Sequence, residues 1–201
     1  MRGWLLMVTL AASAIVVGCG SSAGSAAPSS AAAVAPWQPD PVASLDQHLA
    51  TAAENECRAR APQASGLPVV LHDQRGDGVD TVVLAGPDAR ASCQVAGDES
   101  GKVRWLTGST TPTVDDQMPG ANDITIEDMS SSSGSDTGTV SDISGRAGTA
   151  IASLKILLDD GRQIVATTDN GWFYAWWPGE STAISLSGHD VTGRQIASAT
   201  P

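Results

Sequence analysis

The stretch TDNGWFYAWWPG, residues 168 to 179, holds five of the eight aromatic residues of this 201-residue chain. Asn170-Gly171 is among the strongest short hairpin signals in a sequence. The aromatic run from Trp172 to Trp177 is therefore predicted to be a strand that begins at a tight turn and ends at Pro178.

Rings lie on both faces of this predicted strand, because alternate residues of a strand point to opposite sides. One face carries Trp172, Tyr174 and Trp176, and the other carries Phe173, Ala175 and Trp177. A large aromatic side chain can bury roughly 150 to 250 Å², so we expect most of these rings to pack in the core. The alternative is that Trp172, Tyr174 and Trp176 form an exposed platform that binds a sugar or a protein.

Further strand signals surround the aromatic run. Downstream of residue 150 they cover residues 152–158, 163–168, 183–187 and a strand through Ile196, and upstream they cover residues 69–72, 79–85, 90–95 and 103–106. Each is short and bounded by turn residues. We predict a mainly β fold of two antiparallel meanders that form a sandwich-like or barrel-like body.

One short N-terminal helix is predicted ahead of the strands. Ser44-Leu45-Asp46-Gln47 reads as a capping box. Leu45, Leu49, Ala53 and Cys57 then recur every four residues, which gives one narrow apolar face. The helix should end before Pro62, with Cys57 directed toward the core.

The first 18 residues are predicted to be an export signal that is removed. Arg2 precedes a mostly apolar stretch of about 14 residues, which is too short for a membrane span of roughly 20. Val16-Val17-Gly18-Cys19 resembles the bacterial lipobox, and this resemblance implies that Cys19 becomes the mature N-terminus and carries a diacylglyceryl group. Two acyl chains give stable anchoring, so we expect a protein on the extracytoplasmic face of the cell membrane. The alternative is an ordinary secretory signal that contains a cysteine.

If Cys19 carries lipid, Cys57 and Cys93 are most simply a disulfide pair in an oxidising exported compartment. A metal site at these cysteines would need further ligands nearby, and His48 and His72 are isolated in the sequence.

Residues 19 to 43 are nearly all Ala, Ser, Gly and Pro apart from Trp37, and they are predicted to be a disordered tether. Gly20-Ser21-Ser22-Ala23-Gly24 matches the G-x-S-x-G nucleophile pattern, but that motif needs a strand before it and a helix after it. Low-complexity sequence surrounds it here, so we interpret the match as chance. Residues 44 to 199 are predicted to form a single β-rich domain.

A flexible acidic loop is predicted at about residues 107 to 137. Seven acidic residues and no Lys or Arg lie between Trp105 and Gly145. A divalent-cation site is the alternative, but its candidate ligands lack a recognisable spacing, so no metal is predicted. Those candidates are Asp115, Asp116, Asp123, Glu127 and Asp128.

The second half of the chain carries, in this order, Gly145-Arg146-Ala147-Gly148, Asp160-Gly161-Arg162, the aromatic run through Gly179, and Asp190 with Gly193-Arg194. This order resembles an extracytoplasmic β-domain common in high-GC Gram-positive bacteria. The turn from Asp73 to Asp77 and Cys93 resemble the upstream half of the same domain. The domain occurs in exported proteins and as the outer part of membrane-bound anti-sigma-factor-like proteins. The resemblance covers most of residues 57 to 199 and implies no catalytic residue, cofactor or particular ligand.

The net charge and the arrangement of candidate catalytic residues argue against two classes of function, nucleic-acid binding and catalysis. After removal of residues 1–18 the chain has 10 basic and 22 acidic residues, a net charge of −12, which repels nucleic-acid phosphates. His189-Asp190 builds no relay, because consecutive strand residues face opposite sides. We predict a non-catalytic binding or structural module of the cell envelope whose partner is an envelope protein or a glycan. The alternatives are a sensory ectodomain acting with a membrane partner, and a hydrolase with an unrecognised site.

Overall fold

The computed structural model of the chain describes residues 37–76, 78–98, 102–112, 118–134 and 138–201. The predicted export signal, the lipidation site Cys19 and the G-x-S-x-G match all lie outside the described residues. The predicted tether overlaps the described part of the chain from Trp37 onward.

Strands dominate the described residues, so the mainly β prediction is confirmed. Helix α1 spans Gln47–Arg60 and is followed by a 3₁₀ turn at Pro62–Ala64. The strands are β1 (Val69–Gln74), β2 (Val79–Ala85), β3 (Ala89–Gly97), β4 (Val103–Pro112), β5 (Ile124–Gly134), β6 (Gly138–Ala147), β7 (Ser153–Leu158), β8 (Gln163–Asp169), β9 (Trp172–Pro178), β10 (Ala183–His189) and β11 (Gln195–Ala199).

Strands β1 to β4 form an antiparallel sheet in sequential order, which is the first predicted meander. Helix α1 packs on one face of this sheet through Leu49, Ala53 and Cys57, the predicted apolar face. The predicted disulfide is present, with the Cα atoms of Cys57 and Cys93 5.5 Å apart. It joins α1 to β3.

Helix α1 begins later than the capping box predicts. Its N-cap is Asp46, whose carboxylate accepts hydrogen bonds from the main-chain N–H groups of His48 and Leu49. The end of β1 explains this start, because the Gln74 side chain accepts from the Asp46 N–H at 2.8 Å and donates to the Asp46 carbonyl at 3.1 Å. Leu45 therefore lies outside the helix.

The remaining strands form a seven-stranded antiparallel sheet in the order β11-β10-β7-β8-β9-β6-β5. This order corrects the second predicted meander, because β10 returns beside β7 instead of pairing with β9, as in a Greek key. Contacts outside the strands set this return. The Trp177 indole donates to the Ser181 carbonyl at 2.8 Å, and Asp159 and Thr182 exchange hydrogen bonds of 2.9 and 3.1 Å.

The predicted flexible acidic loop is also corrected, since β4, β5 and β6 occupy most of residues 107–137 that are described. Strands β5 and β6 form a long hairpin in which the serines of β5 lie opposite mostly small or polar residues, such as Ser131 opposite Ser141 and Ser133 opposite Thr139. Strand β5 lies at the edge of its sheet. An edge strand can be largely solvated on one side, so it forms with few apolar residues.

Three layers result: α1, the four-stranded sheet and the curled seven-stranded sheet. The edge strands β5 and β11 of the curled sheet contact each other. The aromatic strand β9 lies between two cores. Trp172, Tyr174 and Trp176 pack against Leu71 and Val83 of the first sheet. Phe173, Ala175 and Trp177 pack inside the curl.

Both faces of the aromatic run are therefore core, as expected for most of its rings. Trp172, Tyr174 and Trp176 are only 5%, 4% and 1% exposed. The alternative of a surface platform formed by these three residues is corrected, because the four-stranded sheet covers them. The Asn-Gly hairpin is confirmed: Asn170 and Gly171 have φ values of 50° and 75°, and Asp169 pairs with Trp172.

Candidate binding cleft

Residues 37 to 39 fill a gap between β8 and β9, and the chain then continues to β1. These strands pair only from Thr167 opposite Tyr174 to Asp169 opposite Trp172. Continuing the register would place Val165 opposite Trp176, but the chain from Trp37 enters instead. The Trp37 indole donates to the Trp176 carbonyl at 3.0 Å, and the Val165 N–H donates to the Pro39 carbonyl at 3.1 Å. The tether prediction therefore ends at Trp37 in the structure, and residues 37–43 belong with the domain.

A buried ion pair fixes this arrangement. Arg75 and Asp73 are both fully buried, and their side chains are 2.8 Å apart. The Arg75 guanidinium also donates to the carbonyl oxygens of Pro39 and Val165, each at 2.6 Å, and Thr167 donates to Asp73. Burial raises the pKa of Asp73, and the neighbouring Arg75 opposes that shift. One guanidinium thus joins β1, β8 and the N-terminal segment.

A cleft of about 430 Å³ lies beside this ion pair, between β1 and β8. Its volume is within the range of roughly 300 to 1,000 Å³ common for small-ligand sites. One side is formed by the partly exposed apolar residues Pro41, Val42 and Leu45, which precede α1. The other parts of the lining come from residues 69–72 and Gln74, from Ala152 and Ser153, and from residues 165–170.

His72 is the titratable side chain of this lining that has a buried acidic partner. Its Nδ1 atom lies 3.0 Å from Oδ2 of Asp80, a fully buried residue on β2. A carboxylate accepting from Nδ1–H fixes the ring orientation and leaves Nε2 as the nitrogen available to a ligand. The sequence analysis treated His72 as isolated. The pairing of β1 with β2 places Asp80 beside it, so a predicted hairpin register could have identified the pair.

The main chain of β1 also faces the cleft. β1 is an edge strand, paired on one side with β2. Gln74 accepts a hydrogen bond from the Val42 N–H at 2.8 Å, and Val70 accepts one from the Asn170 side chain at 3.2 Å. His72 lies between these two positions.

A second, smaller cavity of about 50 Å³ lies between the two sheets. Two of its lining residues, Gln94 and Asp142, have a buried side-chain oxygen with no hydrogen-bond partner. Burial raises the pKa of Asp142 to about 6, and Asp128 adds to the shift while a hydrogen bond from Ser130 and the charge of Arg90 oppose it. Since a water molecule takes roughly 30 Å³ in the liquid, this volume suits one or two waters that donate to the two oxygens.

Two of the candidate cation ligands, Glu127 and Asp128, instead lie within ion-pair distance of Arg90. Glu127 is nearly buried and accepts from Arg90 at 3.0 Å and from Arg146 at 3.1 Å. The Arg146 guanidinium also stacks over Trp172, 3.5 Å from the ring centroid. Asp115 and Asp116 lie outside the described residues. Within the described ranges, no group of three or more His, Cys, Asp or Glu side chains could hold a metal ion.

Within the described residues, the structure shows no hydrogen bond or ion pair between His189 and Asp190. The Asp190 carboxylate accepts from Thr192 and Arg194 and closes the turn between β10 and β11. The Thr192 hydroxyl is the main cause that lowers the pKa of Asp190 to about 2. The Nδ1 atom of His189 is buried without a partner.

Comparisons with protein-family models, with curated proteins and with solved structures give no match to this chain. In the part of the chain that the structure describes, no helix combines the length and the hydropathy of a membrane span.

Proposed function

We propose that the protein is a non-catalytic binding module of the cell envelope, anchored to the membrane by lipid on Cys19, with its ligand in the cleft between β1 and β8. The observation that carries the proposal is the cleft itself. It combines apolar walls with His72, Gln74 and Asn170, and this mixture is typical of small-ligand sites.

Rigidity of the cleft supports the proposal. Its two sides are joined by the buried Arg75 and Asp73 pair and by the Asn170 hydrogen bond to Val70. A preformed site loses little conformational entropy when a ligand binds. The cleft also lies where the chain from the predicted tether enters the domain, since Pro41, Val42 and Leu45 line it.

The anchor is tested by comparing the wild type with Cys19→Ser in the producing cell. We expect wild-type protein in the detergent phase of a Triton X-114 extract, with a mass increase on the N-terminal peptide, and Cys19→Ser in the aqueous phase. Equal partitioning of the two proteins, without a mass increase, would contradict the lipid anchor and indicate an ordinary secretory signal.

The cleft is tested with Val42→Arg and Leu45→Arg in the mature chain carrying Cys19→Ser. Both side chains line the cleft and are already 36% and 37% exposed, so the domain should still fold. Ile184→Arg and Val191→Arg are matched controls, since these residues are exposed and lie outside the cleft lining. Ligands from glycan, peptide and metabolite screens should lose at least tenfold in affinity with the cleft variants and keep it with the controls.

A hydrolase is the second candidate, and the His72 and Asp80 pair favours it. A carboxylate that orients an imidazole is the arrangement of a general base. This candidate requires turnover of ester, peptide or glycoside substrates that His72→Gln abolishes. Inactivity of the folded wild type across these classes would remove it.

A further inference from the structure

We propose that the cleft binds an extended polypeptide segment, which pairs with the outward edge of β1 opposite His72. This inference rests on the proposed binding function and names the class of its ligand. It follows from the direction of main-chain groups along β1.

A main-chain contact at the end of β1 shows which residues of this strand direct their N–H and carbonyl groups to β2 and which direct them outward. The Arg75 N–H donates to the Val79 carbonyl, so Arg75 and Val79 form a hydrogen-bonded position of the β1–β2 pair. In an antiparallel pair such positions alternate. Asp73 and Leu71, which lie opposite Thr81 and Val83, therefore direct their main-chain groups to β2. The residues between them direct theirs outward.

Two contacts agree with this phase. The Gln74 carbonyl accepts from Val42, and the Val70 carbonyl accepts from Asn170, so both carbonyls point away from β2. His72 lies midway between them, and the same alternation directs its N–H and carbonyl toward the cleft that it lines. An extended peptide can exchange two hydrogen bonds with a single residue of this kind. This recognition mode adds a strand to an exposed sheet edge.

The length and chemistry of the segment follow from the surroundings. The contacts at Val70 and Gln74 close the edge on both sides of His72, which leaves room for about three residues at a rise of 3.3 Å each. Val42 and Leu45 offer contact to apolar side chains. Asp169 on the rim and the net charge of −12 of the mature chain disfavour acidic peptides. We expect neutral or cationic segments with an apolar residue.

A carbohydrate is less well matched to the cleft. Sugars commonly stack on exposed aromatic faces, and no Phe, Tyr or Trp is among the described residues that line the cleft. A glycan that binds in the cleft is therefore an outcome of the test that would overturn the peptide inference.

The test uses the mature chain with Cys19→Ser and a bead library of blocked pentapeptides, in which the terminal amine and carboxylate are capped. Affinities of selected peptides are measured by fluorescence anisotropy. Each selected peptide is then remade with an N-methyl group on successive residues, which removes one main-chain donor at a time and keeps the side chains. Amide shifts in ¹⁵N-labelled protein locate the binding site.

We expect selected peptides to shift the amides of Val70, His72 and Asn170. N-methylation at one position of the central residues should lower affinity at least tenfold, and Leu45→Arg should do the same while Val191→Arg does not. The inference would be overturned if no peptide is selected. It would also be overturned if the selected peptides tolerate N-methylation at every position or shift amides elsewhere in the protein.

The same variants separate this inference from the function on which it rests. A glycan or metabolite that loses affinity with Leu45→Arg would refute the peptide and keep the cleft as a binding site. If no ligand of any class responds to Val42→Arg or Leu45→Arg, both proposals fail.

Discussion

Trp37 donates from its indole nitrogen to the carbonyl oxygen of Trp176, 3.0 Å away, at the point where β9 loses its pairing with β8. Their rings also meet edge to face, with centroids 6.4 Å apart. A residue from the predicted tether thus completes the curled sheet.

Removing the Trp37 ring should destabilise the domain. Trp37→Ala loses a partly buried ring in contact with two cores, so we expect a decrease of about 2 to 4 kcal/mol in the free energy of unfolding. Trp37→Phe keeps most of the ring contact and loses the N–H donor, and it should cost about 1 kcal/mol. Urea unfolding followed by circular dichroism measures both. If Trp37→Ala unfolds like the wild type, the segment contributes no stability.

The buried ion pair gives a second prediction. Arg75→Met leaves Asp73 buried without its cation and should lower stability by about 3 to 5 kcal/mol. The double variant Asp73→Asn with Arg75→Met removes the stranded charge and should recover part of that loss, which a double-mutant cycle quantifies.

The control for this pair is Arg194→Met. Arg194 is 77% exposed in its contact with Asp190, and surface pairs of this kind contribute little to stability because solvent screens them. Equal losses for Arg75→Met and Arg194→Met would contradict the assigned role of Arg75.

Asp142 gives a prediction about pH. Its pKa is raised from 3.8 to about 6, so between these values the folded state holds a proton that the unfolded state has released. The stability contributed by protonated Asp142 is therefore lost as pH rises from about 4 to 6. Above pH 6 the ionised group costs about 2 to 3 kcal/mol, since one pKa unit corresponds to about 1.4 kcal/mol.

Asp142→Asn should accordingly be more stable than the wild type at pH 7.5 and nearly equal to it at pH 4. The control is Asp88→Asn, at an exposed aspartate in the turn between β2 and β3. Its stability should differ little from that of the wild type at each pH. Denaturant midpoints measured from pH 4 to 8 decide the matter. A constant offset between Asp142→Asn and the wild type over this range would refute the linkage.

The disulfide gives the last prediction. Cys57 and Cys93 are 36 residues apart, and closing a loop of this length restricts the unfolded chain by about 4 kcal/mol in the chain-entropy description. Replacing both cysteines with alanine should lower the free energy of unfolding by a similar amount. Reduction of the wild type with dithiothreitol should also lower the free energy of unfolding. An unchanged urea midpoint in both experiments would show that the bond adds no stability.

Local signals in the sequence predict much of the fold. The Asn170-Gly171 turn, the first meander and the apolar face of α1 all depend on residues close together in the chain, and each is confirmed. The burial of the aromatic run follows from its ring content on both faces. These features need no knowledge of the distant chain.

The features that were predicted wrongly depend on contacts between residues far apart in the chain. The aromatic strand ends at Pro178 as predicted, but Asp159 and Thr182 bring the next strand, β10, beside β7 and not beside β9. The hairpin of β5 and β6 was predicted as a loop because it is rich in serine and has few apolar residues, which an edge strand such as β5 tolerates. Trp37 was assigned to a tether because the other residues from 19 to 43 are nearly all Ala, Ser, Gly and Pro. This composition gives no sign that the Trp37 ring packs at a specific position in the domain.

The cleft was missed for the same reason. Its lining combines the residues before α1 with β1 and β8, and no window of the sequence contains all three. The chemical signal of His72 appears only after β1 and β2 are paired, because its partner Asp80 lies across the hairpin.

The domain can be divided into two pieces of unequal length, residues 37–42 and the chain from Ala43 onward. Residues 37–42 contact β8, β9 and the end of β1 through main-chain and indole hydrogen bonds and through the Arg75 guanidinium. A chain shortened to begin at Ala43 would present an open groove along Val165 and Trp176, and a free peptide with the sequence of residues 37–42 could refill it. We therefore expect the two pieces to behave as a fragment-complementation pair, in which one short peptide restores the stability of the remainder.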